Sequence, residues 1–245
     1  MRVGLFVTCL IDAWRPQVGR AVVDLLDRLG VLVTMPAGQS CCGQMHVNSG
    51  YPGPALPLVR RYVRAFAACD AIVVPSGSCA AAVRHQHVGL AAAAGDETLR
   101  REAEEAASRT YELSEFLVDV LGVTDVGAYF PHRVTYHPTC HSLRLLRVGQ
   151  RPLQLLRAVE GIDLVELPGA EQCCGFGGTF ALKNPAVSSA MLADKIAAMR
   201  RTGAEYAAAG DASCLLHIGG GLSRLSTGIG TRHLAEILAV TRRAS

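Results

Sequence analysis

The sequence predicts an α/β protein made of two pseudo-repeated halves. Each half is a parallel sheet with flanking helices, and the cysteines gather at the C-terminal edges of the strands. Three observations predict this. First, the tripeptide Cys-Cys-Gly occurs twice, at Cys41-Cys42-Gly43 and Cys173-Cys174-Gly175, each with a lone cysteine on either side. The gaps match: 31 residues from Cys9 to Cys41 and 36 from Cys42 to Cys79, against 32 from Cys140 to Cys173 and 39 from Cys174 to Cys214. Second, short β-type runs alternate with helical periodicity in both halves. Third, every repeated cysteine follows a predicted strand.

The elements follow in order. Val3 to Val7 is a β-type run that stops just before Cys9, and Val134 to His137 does the same before Cys140. Val18, Ala21, Val22, Leu25, Leu26 and Leu29 recur at helical spacing until Gly30; Leu153, Leu156 and Val159 do so before Gly161. Second strands, Val31 to Met35 and Asp163 to Leu167, lead into each Cys-Cys-Gly. Helices at Pro57 to Ala68 and Pro185 to Arg200 come next, the latter with Asn184 as N-cap and Gly203 as stop. Third strands, Ala71 to Pro75 and Tyr206 to Ala209, approach Cys79 and Cys214. Each half closes on a similar helix, Leu113 to Leu117 and Leu234 to Leu238. The segment Ala91 to Thr110 breaks the symmetry and reads as an exposed helix. The strand–helix alternation implies parallel sheets. It divides the chain into residues 1–127 and 128–245, with all eight cysteines at the edge where such sheets bind ligands.

Composition narrows the class. The 245 residues are 50% hydrophobic and 18% charged, which fits a well-cored protein. A net charge of +3 without a Lys/Arg run gives no case for nucleic acid. Asp12 and Arg15 interrupt the apolar start, and no run approaches the ~18 apolar residues of a membrane helix. The expectation is a cytoplasmic protein without a membrane span. Nine cysteines there point to metal or redox chemistry rather than to structural disulfides.

Thiolates in fours hold iron–sulfur clusters or zinc. The count allows one cluster per half, or one site shared between facing halves. Adjacent cysteines need a sharp turn to serve together, and Gly43 and Gly175 supply it. Gly175-Phe-Gly-Gly178 leaves backbone N–H groups able to approach a sulfide. Zinc sites usually pair C-x₂₋₄-C knuckles, and the chain has no C-x-x-C. Iron–sulfur therefore leads, with zinc, inert thiols and a vicinal disulfide as the other readings. Cys69 stands outside the repeat and reads as a buried small hydrophobe. His137 and His141 would suit a metal site if a helix began early; otherwise His141 caps or hydrogen-bonds near a cluster. His46 could line the pocket, His85 and His87 read as surface residues, and His217 is ambiguous. No P-loop, G-x-G-x-x-G or nucleophile elbow is present, and Ser76-Gly-Ser78 reads as the turn carrying Cys79.

The doubled Cys…Cys-Cys-Gly…Cys pattern resembles the cysteine-rich (CCG) domain family. That family includes the CCG-bearing component of heterodisulfide reductase and iron–sulfur subunits of glycolate- and glycerol-3-phosphate-oxidising systems. Several stretches resemble its L-lactate-utilising branch. They include Thr8-Cys-Leu-Ile-Asp12, Cys41-Cys-Gly-Gln44 with Asn48-Ser-Gly-Tyr51, Pro75-Ser-Gly-Ser-Cys79, Tyr136-His-Pro-Thr-Cys-His141, Cys173-Cys-Gly-Phe-Gly-Gly-Thr-Phe180, Asp211-Ala-Ser-Cys214 and Thr231-Arg-His233. The resemblance implies an iron–sulfur subunit that passes electrons in the oxidation of L-lactate to pyruvate. It implies one or two clusters per chain, of [4Fe–4S] type, on Cys9, Cys41, Cys42, Cys79, Cys140, Cys173, Cys174 and Cys214. It also implies a ferredoxin-like iron–sulfur partner subunit and a third small subunit. In the heterodisulfide reductase component the last cysteine of each motif is a C-x-x-C pair. Here Ser76 and Asp211 stand at the earlier position, which removes one thiolate per site and points away from disulfide reduction. Asp211 as an oxygen ligand, and His141 beside Cys140, are the further metal candidates; Asp211 could equally cap the following turn.

Overall fold

A computed structural model describes residues 1–242. Four parallel strands form the first sheet: β1 (Val3–Leu5), β2 (Val33–Thr34), β3 (Ala71–Val74) and β4 (Thr110–Glu112), in the order β2-β1-β3-β4. The second sheet repeats the arrangement with β5 (Arg133–His137), β6 (Asp163–Val165), β7 (Tyr206–Ala209) and β8 (Gly230–His233), in the order β6-β5-β7-β8. The two halves thus share one topology, as the cysteine spacing predicts.

Two strands escape the sequence reading. β4 (Thr-Tyr-Glu) and β8 (Gly-Thr-Arg-His) are short and polar, with no β-branched run or clean alternation to mark them. The segment 91–110 is also more than one exposed helix. The helices His87–Ala93 and Glu97–Ser108 meet at Gly95-Asp96, and Asp96 caps the second by accepting from the Leu99 N–H at 2.9 Å. Leu99, Ala103 and Ala106 bury one face against the first half's core, and Thr110 opens β4. The helix expected from Pro57 starts at Pro52, so Pro57 lies inside it. Asn184 sits at the N-cap of Pro185–Arg201 but makes no capping bond.

One apolar core runs through both halves. Val3, Leu5, Val22 and Leu25 of the first share it with Val134, Leu155, Leu234 and Ile237 of the second. The helices Pro16–Arg28 and Leu234–Ala239 meet across this seam. Arg28 fastens it, donating to the carbonyls of Val126, Ala239 and Leu238 at 3.0, 2.8 and 2.5 Å. Among the described residues no helix is long and apolar enough to cross a membrane.

Candidate metal centre

Both sheets turn their C-terminal edges towards one cleft, because every strand of each sheet runs the same way. Cys9 opens the helix Cys9–Trp14 after β1, and Cys79 lies in Gly77–Ala81 after β3. Cys140 follows β5, and Cys214 lies in Ala212–Arg224 after β7. The vicinal pairs sit in the loops after β2 and β6. β1 with β3, and β5 with β7, flank the point where the strand order reverses, which is where open α/β sheets take ligands. All eight repeated cysteines line a single cavity of about 110 Å³ between the halves.

The two sets are built alike. Cys42 and Cys174 are buried, the other six half-buried, and all are free thiols. In the first half Cys9 Sγ stands 3.6 Å from Cys41, and Cys42 Sγ 3.3 Å from Cys79. The Gly43 N–H donates to Cys41 Sγ at 3.4 Å, and the Gly175 N–H to Cys173 Sγ at 3.3 Å. That turn needs a positive φ, 84° at Gly43 and 91° at Gly175. A Cβ on Gly175 would also stand 2.6 Å from the Ser188 carbonyl oxygen.

Charge is shared unequally within each set. Hydrogen bonds from Cys42 and Cys9, helped by the Gly43 amide, pull the Cys41 thiol far below its usual range. Cys140 and Cys174 do the same for Cys173. The donors move the opposite way: Cys9 and Cys42 rise through their bonds to Cys41, then through burial, and Cys140 and Cys174 rise through theirs to Cys173. Each set therefore holds one ready thiolate beside two thiols whose protons a cation would displace.

Strain marks the same places. Thr8 and Thr139, each immediately before the first cysteine of its set, have φ of 68° and 59°. A β-branched residue pays roughly 1–3 kcal/mol there, and such strain collects at functional sites. The sequence carries no signal for it beyond the matching Thr-Cys and Thr-Cys order.

The other candidates separate. Asp211 is an N-cap: Oδ1 accepts from the Ser213 N–H at 3.1 Å and its hydroxyl at 2.7 Å. Oδ2 crosses to the other half, accepting from the Ser78 N–H at 2.8 Å and the Ser76 hydroxyl at 3.2 Å. Ser76 in turn caps the first half's cysteine helix, accepting from the Cys79 N–H at 3.3 Å. Cap, the second of the two roles open to Asp211, is thus the one its bonds describe. His141 lines the cavity, and its Nε2 lies 3.1 Å from Gln44 Nε2, which also donates to the Ser78 carbonyl.

His87, expected at the surface, is 1% exposed; its Nε2 bonds the Cys42 carbonyl at 2.8 Å and its ring meets Tyr62 edge-on. The π-turn at Ala82–Gln86 shifts its phase and brings it inwards, which helical periodicity could not foretell. His85 and His46 are exposed. His217 lies 5.9 Å from the Phe176 ring and tilted to it, and His132 pairs with Glu205 at the far end of β5. Cys69 is buried in the first core, as expected.

Two further residues stand out: His137, read from the sequence as a metal donor only if a helix began early, and Lys195, which the sequence reading did not mark. His137 is 1% exposed, with neither ring nitrogen in hydrogen-bond geometry to any partner. Its nitrogen and the sulfurs of Cys174 and Cys214 all lie within 4.8 Å of one another. Burial, then the nearby Lys195 charge, lower its pKa to about 4 against the opposing charges of Cys173 and Asp211. Lys195 is fully buried and donates to the carbonyls of Gly169 and Ala170 at 2.8 and 3.3 Å.

Comparison with known proteins places this geometry. The cysteine-rich domain family (CCG) matches residues 3–84 and again 134–219, once per half. The chain belongs to that family. It is 48% identical over 239 residues to lactate utilization protein A of Geobacillus kaustophilus, covering 97% of this chain and 98% of the relative. The protein of the same name from Bacillus subtilis is 43% identical over 239 residues, covering 97% and 99%. Four clustered thiols per half, with amide donors aimed at sulfur, form a donor set suited to metal or iron–sulfur binding.

Proposed function

We propose that the chain is a cytoplasmic iron–sulfur electron-transfer subunit serving lactate utilisation. The observation that carries this is the pair of four-thiol sets opening on one cavity. The near-full-length likeness to proteins named for lactate utilisation supplies the substrate class. Cys9, Cys41, Cys42 and Cys79 would hold one cluster, and Cys140, Cys173, Cys174 and Cys214 a second, of [4Fe–4S] type. Bound there, such a cluster supplies one-electron acceptance and release.

The chain's own residues do the rest. The Gly43 and Gly175 amides donate to ligand sulfur, a contact that tunes cluster potential. Burial of Cys42 and Cys174 shields each set's inner side from water. The caps at Ser76 and Asp211 fix the helices that carry Cys79 and Cys214. Oxidising L-lactate to pyruvate releases an electron pair and two protons, so the electrons would leave through a ferredoxin-like iron–sulfur subunit, with a third small subunit completing the complex. The division at 127/128 assigns one thiol set to each half.

Anaerobic reconstitution with iron and sulfide should give a visible cluster band, an EPR signal on reduction, and acid-labile sulfide matching iron. Iron uptake without sulfide would refute the cluster. Deletion of the gene should impair growth on L-lactate; normal growth with no paralogue present would refute the substrate.

A second reading has a specific observation behind it. The thiol pairs, 3.6 and 3.3 Å apart, approach the ~3.8 Å spacing set by ~2.3 Å Zn–S bonds in a tetrahedron. Under it each set holds one zinc ion and the chain is a metal-stabilised scaffold. Zinc and sulfide per chain, measured after oxygen-free purification, separate the two readings.

A further inference from the structure

The two thiol sets look equal only as far as their cysteines. Behind the first set lie rings. Phe6, three residues before Cys9, meets Tyr62 at 5.1 Å and Phe66 at 5.7 Å, both edge-on. His137 holds the matching place three residues before Cys140. Tyr62 stands ten residues into the helix Pro52–Phe66, and Lys195 ten residues into Pro185–Arg201. The first half thus backs its thiols with aromatic carbon and with His87, whose Nε2 is already bonded to the Cys42 carbonyl at 2.8 Å; the second has an imidazole and an ammonium, both fully buried. Burying polar groups costs several kcal/mol unless they find partners. Lys195 has two carbonyls. His137 has none, and its nearest chemistry is the sulfur of Cys174 and Cys214.

We propose that His137 is a nitrogen donor to the second thiol set, so that this site is mixed sulfur–nitrogen while the first is all-sulfur, and that the second is the more readily reduced of the two. The inference rests on the iron–sulfur reading above. Two physical effects act in one direction. Histidine on an iron in place of one of the four thiolates, Cys174 or Cys214 being the sulfurs nearest His137, raises a cluster's potential by lowering the negative charge on iron. A buried cation beside the site stabilises the electron it gains, because little water screens it. Lys195 is held on the Gly169 and Ala170 carbonyls, in the loop that leads to Cys173, and the first half has Tyr62 in its place. The first electron to enter would therefore settle in the second half.

The test uses the full chain, reconstituted anaerobically with iron and sulfide and labelled with ¹⁵N-histidine. Pulsed EPR of the partly reduced protein should show coupling to a directly bound histidine nitrogen, and a redox titration should resolve two midpoints. In His137→Phe, which copies the first half, the nitrogen coupling should vanish and the higher midpoint should fall towards the lower. His141→Ala should keep both features. A cluster signal without histidine coupling in the wild-type protein overturns this inference alone, whether or not His137→Phe folds. Coupling that survives His137→Phe does the same. No cluster signal at all overturns the parent reading and this one with it.

Discussion

Replacing Asp211 by alanine tests whether this carboxylate holds the halves together or holds a metal. Asp211 is 2% exposed and accepts four hydrogen bonds, two from each half. In Asp211→Ala the two hydroxyls can turn to other acceptors; Ser76 already has Ser78 Oγ at 3.1 Å. The amides of Ser78 and Ser213 cannot turn. Each buried donor left unpaired costs about 1–3 kcal/mol, so the two together should cost about 4 kcal/mol. Ser76→Ala loses a single neutral cap and should cost about 1 kcal/mol. Asp211→Asn keeps one oxygen and turns an NH₂ towards donors on the other side, so it should fall between the two. The assay is urea unfolding under reductant and chelator, repeated on metal-loaded protein. A loss below about 1 kcal/mol for metal-free Asp211→Ala would refute the cap-and-bridge role. A large loss confined to the loaded protein would instead identify an oxygen ligand.

The remaining predictions concern pH, packing and strain. Burial lifts the Glu112 carboxyl to about 7 against the bonds from Ser114, so its contribution is full below ~4.3 and lost as pH rises through 7. Burial lowers His233 to about 4, so its contribution is full above ~6.5 and lost as pH falls through 4. His137, also lowered to about 4 by burial, adds a second loss in the same direction, so with Glu112 offsetting one of the two the wild-type protein should lose ~3 kcal/mol from pH 7 to 4. Glu112→Gln should roughly double that loss in unfolding measurements, and an unchanged profile would contradict it. At the seam, a Cβ on Gly77 would stand 1.9 Å from Ser142 Oγ and 3.1 Å from its Cβ. Gly77→Ala should cost about 1–3 kcal/mol, with part recovered by adding Ser142→Ala; no recovery would place the strain elsewhere. At Thr8, glycine should be more stable than alanine by about 1 kcal/mol, the same contrast holding at Thr139. The reverse order in thermal melts would show that neither φ is strained.

The sequence made much of this site legible because cysteine spacing is a local, countable signal. Cys9 with Cys140, and the two Cys-Cys-Gly turns, sufficed to infer the repeat, the parallel sheets and the gathering of thiols at one edge. That both sets open on the same cavity depends on how the sheets pack, through Leu25 and Val134 and the grip of Arg28, and no motif encodes it. His87 was missed because a π-turn changed its facing. His137 was seen, but its isolation is a property of burial, which the run Val134 to His137 does not reveal. Lys195 gave no signal at all, since a lone lysine in a helix without a clear apolar face reads as solvent-facing. β4 and β8 were missed because their residues are polar and their strands short, stabilised by the neighbours they pair with.

The bridge between Ser76 and Asp211 also bears on how the two halves came to share one chain. A homodimer of a single half must place the same residue on both sides of its axis. Two aspartates there would face each other as like charges, and two serines would leave the opposing amide without a strong acceptor. A fused duplicate escapes that rule and can set a hydroxyl on one side against a carboxylate on the other, as this chain does. The same freedom let Phe6 and His137 diverge at equivalent sites. Covalent linkage thus did more than raise the local concentration of one half near the other: it allowed a symmetric frame to carry unlike parts.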